Sequence, residues 1–328
     1  MILAKKVIGN VNFRRNKVLG LQMGKIMNHQ RRNENNLHLP LFIEADRSVA
    51  TSTPIDTEDL SAPKPFVKWV GGKRSLLNEI LPRFPKEFND YYEPFVGGGA
   101  VFFSAYDKFT NAFLSDTNLD LVITYRIIQE YPDMLIHRLK EHAKQHAKDY
   151  YYEVRSWHFL EDPLEVAARF LYLNKTCYNG LYRVNKSGRF NTPMGSYKNP
   201  NIVQEENIWA CHHALKDVKI EKRDFDTIQP KKGDFVYFDP PYHPTNELSF
   251  TEYTSLNFTE HDQERLRDFA VKLHKSGVYV MLSNSKTTFI EKAYNRKCFN
   301  VYTVQAPRFV NCKPNQRGAI NEVLITNF

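Results

Sequence analysis

The chain has 328 residues, with 45 Lys+Arg against 37 Asp+Glu for a net charge of +8, 42% hydrophobic residues and 13% aromatics. That length and apolar content suffice for one or two globular domains with their own core, which excludes a disordered chain and a disulfide-stapled miniprotein. No apolar run reaches the ~18 residues of a membrane span, and mean hydropathy is −0.52, so no membrane partner is expected.

The charge is unevenly placed. Residues 1–32 hold eight Lys+Arg and no acid, residues 33–62 hold one Arg and six acids, and the remainder carries only +5. The opening segment lacks the continuous apolar stretch of a secretory signal, and its lack of serine argues against a transit peptide. Residues 1–62 are therefore expected to be a mobile extension, or the product of an upstream start codon with Met23 or Met27 opening the real chain.

From Pro63 the pattern becomes α/β, with short apolar or aromatic runs ending in turn residues and alternating with helical stretches. In Tyr91-Tyr92-Glu93-Pro94-Phe95-Val96-Gly97-Gly98-Gly99 an aromatic strand ends in an acidic residue and is followed by a Gly-rich turn and a helical run, Ala100–Tyr106. Glycines there let the backbone approach a ligand closely, although a plain tight turn explains them equally well. The spacing is not GxGxxG, so a hydride-transferring dinucleotide enzyme is poorly supported. Phe113–Ser115 is the next strand and ends in Asp116. A carboxylate at that place accepts from ribose hydroxyls or caps the helix that starts near Asn118, and the two roles are compatible.

Residues 119–216 differ, being rich in helical periodicity and in Tyr, His, Lys and Arg. A helical insertion carrying a β-hairpin over 178–197 fits this better than more sheet. The hairpin mixes Arg and Asn, which read base edges, with Leu, Tyr and Pro, which wedge between bases; composition alone equally allows a solvated hairpin. His142 and His146, on a Lys-rich helix face, and the pair His212-His213 lack a completing carboxylate, so surface histidines and no metal are expected. Cys177, Cys211, Cys298 and Cys312 form no CxxC pair and are expected to be free thiols.

Phe235–Phe238 is a strand that delivers Asp239-Pro240-Pro241-Tyr242 to its carboxyl end, where open α/β sheets place ligands. The prolines stiffen the turn and remove two backbone donors, leaving carbonyls to accept. This suits methylation of an exocyclic amino group. Asp239 and the Pro240 carbonyl would accept its two hydrogens and aim the lone pair at a methyl sulfonium, while Tyr242 stacks on the base. A helix is expected over 260–275, capped by Thr259 with Asp262 and closed by Gly277. A buried strand follows at Val278–Leu282, with a last one, expected antiparallel, at Glu322–Thr326.

Together these motifs resemble the Dam family of adenine-N6 DNA methyltransferases, which modify GATC-type sites. The resemblance runs from about Pro65 to Asn327. It begins at Pro65-Phe66-Val67-Lys68-Trp69-Val70-Gly71-Gly72-Lys73 and passes through Glu93–Gly99, Asp116 and Asp224-Phe225. Its last motif is Asp239-Pro240-Pro241-Tyr242, and the motifs stand in that family's order. The resemblance implies a Rossmann-like S-adenosylmethionine-dependent methyltransferase domain, 63–118 and 217–328, interrupted by a target-recognition insertion, 119–216. It implies a cofactor pocket of Trp69, Lys73, Glu93, Phe95, Gly97, Gly98, Gly99, Asp116, Asp224, Phe225 and Asp239. Contact with double-stranded DNA falls to Lys68, Tyr178, Asn179, Leu181, Arg183, Pro193 and Tyr197.

The resemblance further implies a monomeric cytoplasmic enzyme, nucleoid-associated through its DNA, in restriction-modification or a related role, with no metal. The chain departs from the GATC pattern at Met194, where an aromatic is usual, and at Ser196, where Arg is usual. The rival expectations are an amino-group methyltransferase acting on RNA or protein, and a DNA-binding protein on an inactive methyltransferase scaffold. Asp at position 239 argues against the first, and the intact glycine loop against the second.

Overall fold

The computed structural model describes residues 61–245, 258–306 and 320–328. The expectations for residues 1–60 and for Cys312 lie outside them.

After a 3-10 turn at Lys73–Leu76 come α1 (Leu77–Ile80), β1 (Tyr91–Glu93), α2 (Ala100–Phe103) and β2 (Ala112–Asp116). A helical stretch follows: α3 (Leu119–Glu130), α4 (Pro132–Gln145), α5 (Lys148–Ser156), α6 (Pro163–Thr176) and α7 (Glu205–Leu215). The chain then returns to the sheet with β3 (Lys219–Lys222), β4 (Phe235–Phe238), α8 (Glu260–Lys275), β5 (Tyr279–Ser285), α9 (Thr288–Tyr294), β6 (Asn300–Ala306) and β7 (Ile320–Thr326).

The strands form one seven-stranded sheet in the order β3-β2-β1-β4-β5-β7-β6. Strands β1 to β5 pair in parallel, and β7 runs antiparallel to both β5 and β6. This is the Rossmann-like methyltransferase arrangement, and the expected reversal of the last strand is present. The order turns around at β1, which pairs with β2 on one side and β4 on the other. At such a switch point the connections leave in opposite directions and open a crevice at the strands' carboxyl ends.

All four residues of β4 are buried, as a central parallel strand covered on both faces requires. On one face α8 supplies Leu266, Phe269, Ala270 and Leu273, packed with Val236, Phe238, Val280 and Leu282. Burying such a set stabilises the fold by ~1.5–3 kcal/mol per large side chain. Elsewhere in the core the Tyr91 ring stacks on Phe109 at 4.0 Å and meets Phe84 and Phe235. The capping box opening α8 is complete, with Thr259 and Asp262 bonding each other's backbone N–H.

Several local expectations change. The run after the glycine loop is helical only over Ala100–Phe103, and the Ser104 N–H that closes it donates to the Phe102 and Val101 carbonyls. The expected buried strand at 278–282 extends to Ser285 through its ladder with β7. In 178–197 the antiparallel pairing is reduced to isolated bridges, Cys177 to Met194 and Val184 to Phe190. Histidine 142 is not on the surface. It is 0% exposed, its ring stacks on Tyr172 at 4.9 Å, and its Nδ1 lies 2.8 Å from the Tyr150 hydroxyl. Burial lowers its pKa to about 4. His146 is half-buried and reaches the Tyr172 hydroxyl. The Lys-rich composition of α4 concealed an aromatic pocket supplied by α5 and α6. Cys177, Cys211 and Cys298 are free thiols.

Candidate active site

Three acids converge at the carboxyl edge of the sheet because each ends or follows a strand beside the switch point. Glu93 ends β1, Asp116 ends β2 and Asp239 follows β4. The segment preceding β1 folds across this edge. Lys73, buried at 5% exposure, places its ammonium 2.7 Å from Asp239 Oδ1 and 4.5 Å from the centre of the Tyr242 ring. The same ammonium donates to the Gly71 carbonyl. Burial pushes Asp239 up to about 6, against the pull of Lys73 and with a further push from Glu322. Lys73 is thus a buried partner of Asp239 and Tyr242 rather than a solvated charge.

Glu93 is buried beside this pair and receives the Tyr91 hydroxyl at 2.7 Å. Burial raises it to about 8, so it holds its proton at neutral pH until a cationic group arrives to favour the carboxylate. Asp116 accepts from the Gly97 N–H at 3.1 Å and the Asn118 N–H at 2.9 Å, and burial raises it also. It does not cap α3; Asn118 does, accepting from the Leu121 N–H.

The glycine loop is built for close approach. Gly97 has φ +48°, and a Cβ there would stand 2.6 Å from Trp69 Cδ1. At Gly99, φ +69°, a Cβ would meet the Tyr125 hydroxyl at 2.5 Å, and that hydroxyl donates to the Gly97 carbonyl. Trp69 therefore lies directly on the loop and does not simply fill the core, and Gly98 packs against its Cβ. Phe225 is 1% exposed, its ring stacked on Phe95 at 5.3 Å and touched by the Arg265 guanidinium at 4.5 Å. Arg265 also pairs with Asp224 at 2.7 Å. The structure brings Glu93, Asp116, Lys73, Trp69, Gly97 and Asp239 to one edge, and it seats Asp224 and Phe225 against α8.

The turn of the Asp239-Pro240-Pro241-Tyr242 tetrapeptide is pinned by side chains that sequence reading missed. Gln263 donates to the Pro241 carbonyl at 2.8 Å, Asn284 accepts from the His243 N–H at 3.0 Å, and Ser285 donates to the His243 carbonyl. Tyr242 donates its hydroxyl to Glu322 at 2.8 Å. Polar Ser283-Asn284-Ser285 at the end of an apolar strand was a readable signal; Glu322, on a distant strand, offered none.

The residues expected to touch DNA form a second group. Lys68 Nζ donates to the Tyr197 hydroxyl at 3.2 Å and lies 4.8 Å from that ring's centre. The Gly180 turn lies against the Lys68 side chain, and the Tyr178 N–H donates to the Pro193 carbonyl. Arg183 bonds Asn191 at 2.7 Å, and Tyr178 and Tyr197 are solvent-exposed. The two groups meet where Tyr182 stacks on Trp69 at 5.6 Å.

Residues 69–309 match the family of D12 class N6 adenine-specific DNA methyltransferases. A type II methyltransferase of Lactococcus lactis subsp. cremoris, M1.LlaDCHI, is 42% identical over 275 residues, covering 81% of this chain and 95% of its own. M.MjaIII, a type II methyltransferase of Methanocaldococcus jannaschii, is 43% identical over 288 residues, covering 81% and 99%. A DNA adenine methylase of Vibrio cholerae serotype O1 is 35% identical over 265 residues, covering 79% and 94%. No metal-ligand cluster and no helix long and apolar enough to cross a membrane occur among the described residues. The chain belongs to the D12 class of N6 adenine-specific DNA methyltransferases and is a methyltransferase with DNA adenine as its substrate.

Proposed function

We propose that this enzyme methylates the N6 amino group of adenine in double-stranded DNA, within a GATC-type site, after the target base has left the stack. The observation that carries the reading is the Asp239 carboxylate, 18% exposed, held by buried Lys73 2.7 Å away after the end of β4 and followed by a rigid Pro-Pro turn. An exocyclic amino nitrogen shares its lone pair with the ring and is a poor nucleophile. Asp239 accepts one of its hydrogens and the Pro240 carbonyl the other, which draws the nitrogen towards a tetrahedral shape and directs the lone pair. Glu322 holds Tyr242 by its hydroxyl, leaving the ring to stack on the base.

The site fits S-adenosylmethionine. Gly97 lets the Trp69 ring lie where a Cβ would stand 2.6 Å from it, and buried Glu93 favours a positively charged ligand group. Bound S-adenosylmethionine supplies a methyl on a positively charged sulfur, which departs as a neutral thioether. Trp69, Lys73, Phe95, Gly97–Gly99, Asp116, Asp224 and Phe225 would hold it. As the new C–N bond forms, the surplus N6 proton passes to Asp239, so the barrier falls through alignment and proton acceptance. Residues 119–216 would act as the recognition insertion, bringing Arg183 and Tyr197 to the duplex beside Lys68. A basic surface there gains affinity by releasing counterions from phosphates.

Incubation with labelled S-adenosylmethionine and unmethylated duplexes tests this reading. Label should enter GATC-containing DNA and block a methylation-sensitive GATC nuclease. Label in DNA with unchanged cleavage would refute GATC while keeping adenine; label confined to RNA or protein would refute the substrate.

A further inference from the structure

Lys68 and Trp69 are consecutive residues, yet the first turns its side chain to Tyr197 in the recognition region and the second to the glycine loop. Something must hold the backbone between them. Asn174, 1% exposed near the end of α6, grips the Lys68 peptide from both sides. Its Oδ1 accepts from the Lys68 N–H at 2.9 Å, and its Nδ2 donates to the Lys68 carbonyl at 2.9 Å. The same Nδ2 donates to the Gly180 carbonyl at 3.1 Å. One amide thereby joins the Lys68 backbone to the turn that carries Tyr178, Asn179 and Leu181.

The turn is shaped to receive Lys68. Asn179 and Gly180 lie at φ +56° and +66°, and a Cβ on Gly180 would stand 2.4 Å from Lys68 Cδ. Only a bare backbone lets the lysine stem lie across the turn. The neighbouring chain is fixed by the Tyr178 N–H to the Pro193 carbonyl and the Gly195 N–H to the Thr176 carbonyl, each at 2.8 Å. No regular ladder supports this region, which has only isolated bridges. The amide therefore carries a positioning task that strand pairing performs elsewhere.

We infer that Asn174 is a positioning residue for target recognition, which locks Lys68 and the 178–181 turn into one DNA-contacting unit in fixed register with the cofactor loop. The inference rests on the DNA reading above. An acid at this position keeps the acceptor for the Lys68 N–H but loses both donors, leaving two carbonyls without a partner. The unit then loosens without loss of any side chain that touches DNA.

Steady-state methylation of GATC duplexes by Asn174→Asp, with and without Lys68→Ala, tests this. The expected result is a KM for DNA raised about tenfold with kcat within about threefold. Discrimination against a changed flanking base should fall, and much of the penalty should vanish in the Lys68→Ala background, since coupled residues are not additive. Gly180→Ala, which crowds Lys68 from the other side and leaves the amide intact, should reproduce the pattern should Asn174→Asp fail to fold. An unchanged DNA KM, an equal penalty with and without Lys68, or an equal loss of cofactor affinity would overturn the inference. Wild-type enzyme that methylates no duplex would instead refute the DNA reading itself.

Discussion

The carboxyl edge of the sheet and the 178–197 segment are held together by different physics. At the sheet edge, charge is buried: Lys73 at 5% exposure meets Asp239 at 2.7 Å, and Glu93 and Asp116 are raised by burial. Backbone ladders on both sides of β1 and β4 hold these groups where burial weakens screening by water. In the 178–197 segment, aromatic and basic side chains face solvent, and side-chain amides and isolated bridges replace the ladder. An electrostatically preorganised site needs rigidity. A surface that follows a duplex needs exposed donors and can spare the ladder.

The sharpest break in this contrast is Asp239→Ala, expected to lower methyl transfer by on the order of a thousandfold. The wild-type rate carries a related signature in pH. Asp239 must be ionised to accept from the amino group, and burial raises it to about 6. Protonation below that value removes the acceptor, so kcat should fall roughly tenfold per pH unit on the acid side. A flat profile from pH 5 to 8 would count against the carboxylate's role.

Gly97→Ala separates the two regions from the cofactor side. The new methyl would stand 2.6 Å from Trp69 at φ +48°, a strain of ~1–3 kcal/mol. Cofactor affinity should fall about tenfold or more while DNA affinity without cofactor is unchanged, as read by isothermal titration and gel shift. Equal losses in both would mean that Trp69 and its Tyr182 stack join the regions into one unit. Arg183→Ala makes the smallest change and acts from the other side. DNA affinity should fall by up to about tenfold, and the salt dependence should become shallower by about one counterion if Arg183 meets a phosphate. Cofactor binding should stay intact.

Most of the sheet edge was legible in the sequence because its signals are local. An apolar strand followed by Asp-Pro-Pro-Tyr, and a strand followed by three glycines, each state their own geometry. Thr259 with Asp262 did the same for the start of α8. The surroundings were less legible. His142 reads as a surface residue within α4, and only packing against Tyr150 and Tyr172 buries it. Asp116 reads as a ribose acceptor, a helix cap or both; Asn118 takes the cap, and the Asp116 carboxylate accepts from the glycine loop.

By itself, the sequence determined the alternating α/β order, the family, the position of the Asp-Pro-Pro-Tyr turn after a buried strand, and a charge placement that puts +8 in residues 1–32 and only +5 beyond residue 62. These follow from residue type and spacing along the chain. Tertiary structure alone decided that Lys73 pairs with Asp239, that Glu322 holds Tyr242, that Arg265 holds Asp224, and that Asn174 holds Lys68. Those partners stand 166, 80, 41 and 106 positions apart. Partnerships at such distances depend on strand order and helix packing, and no local pattern encodes them.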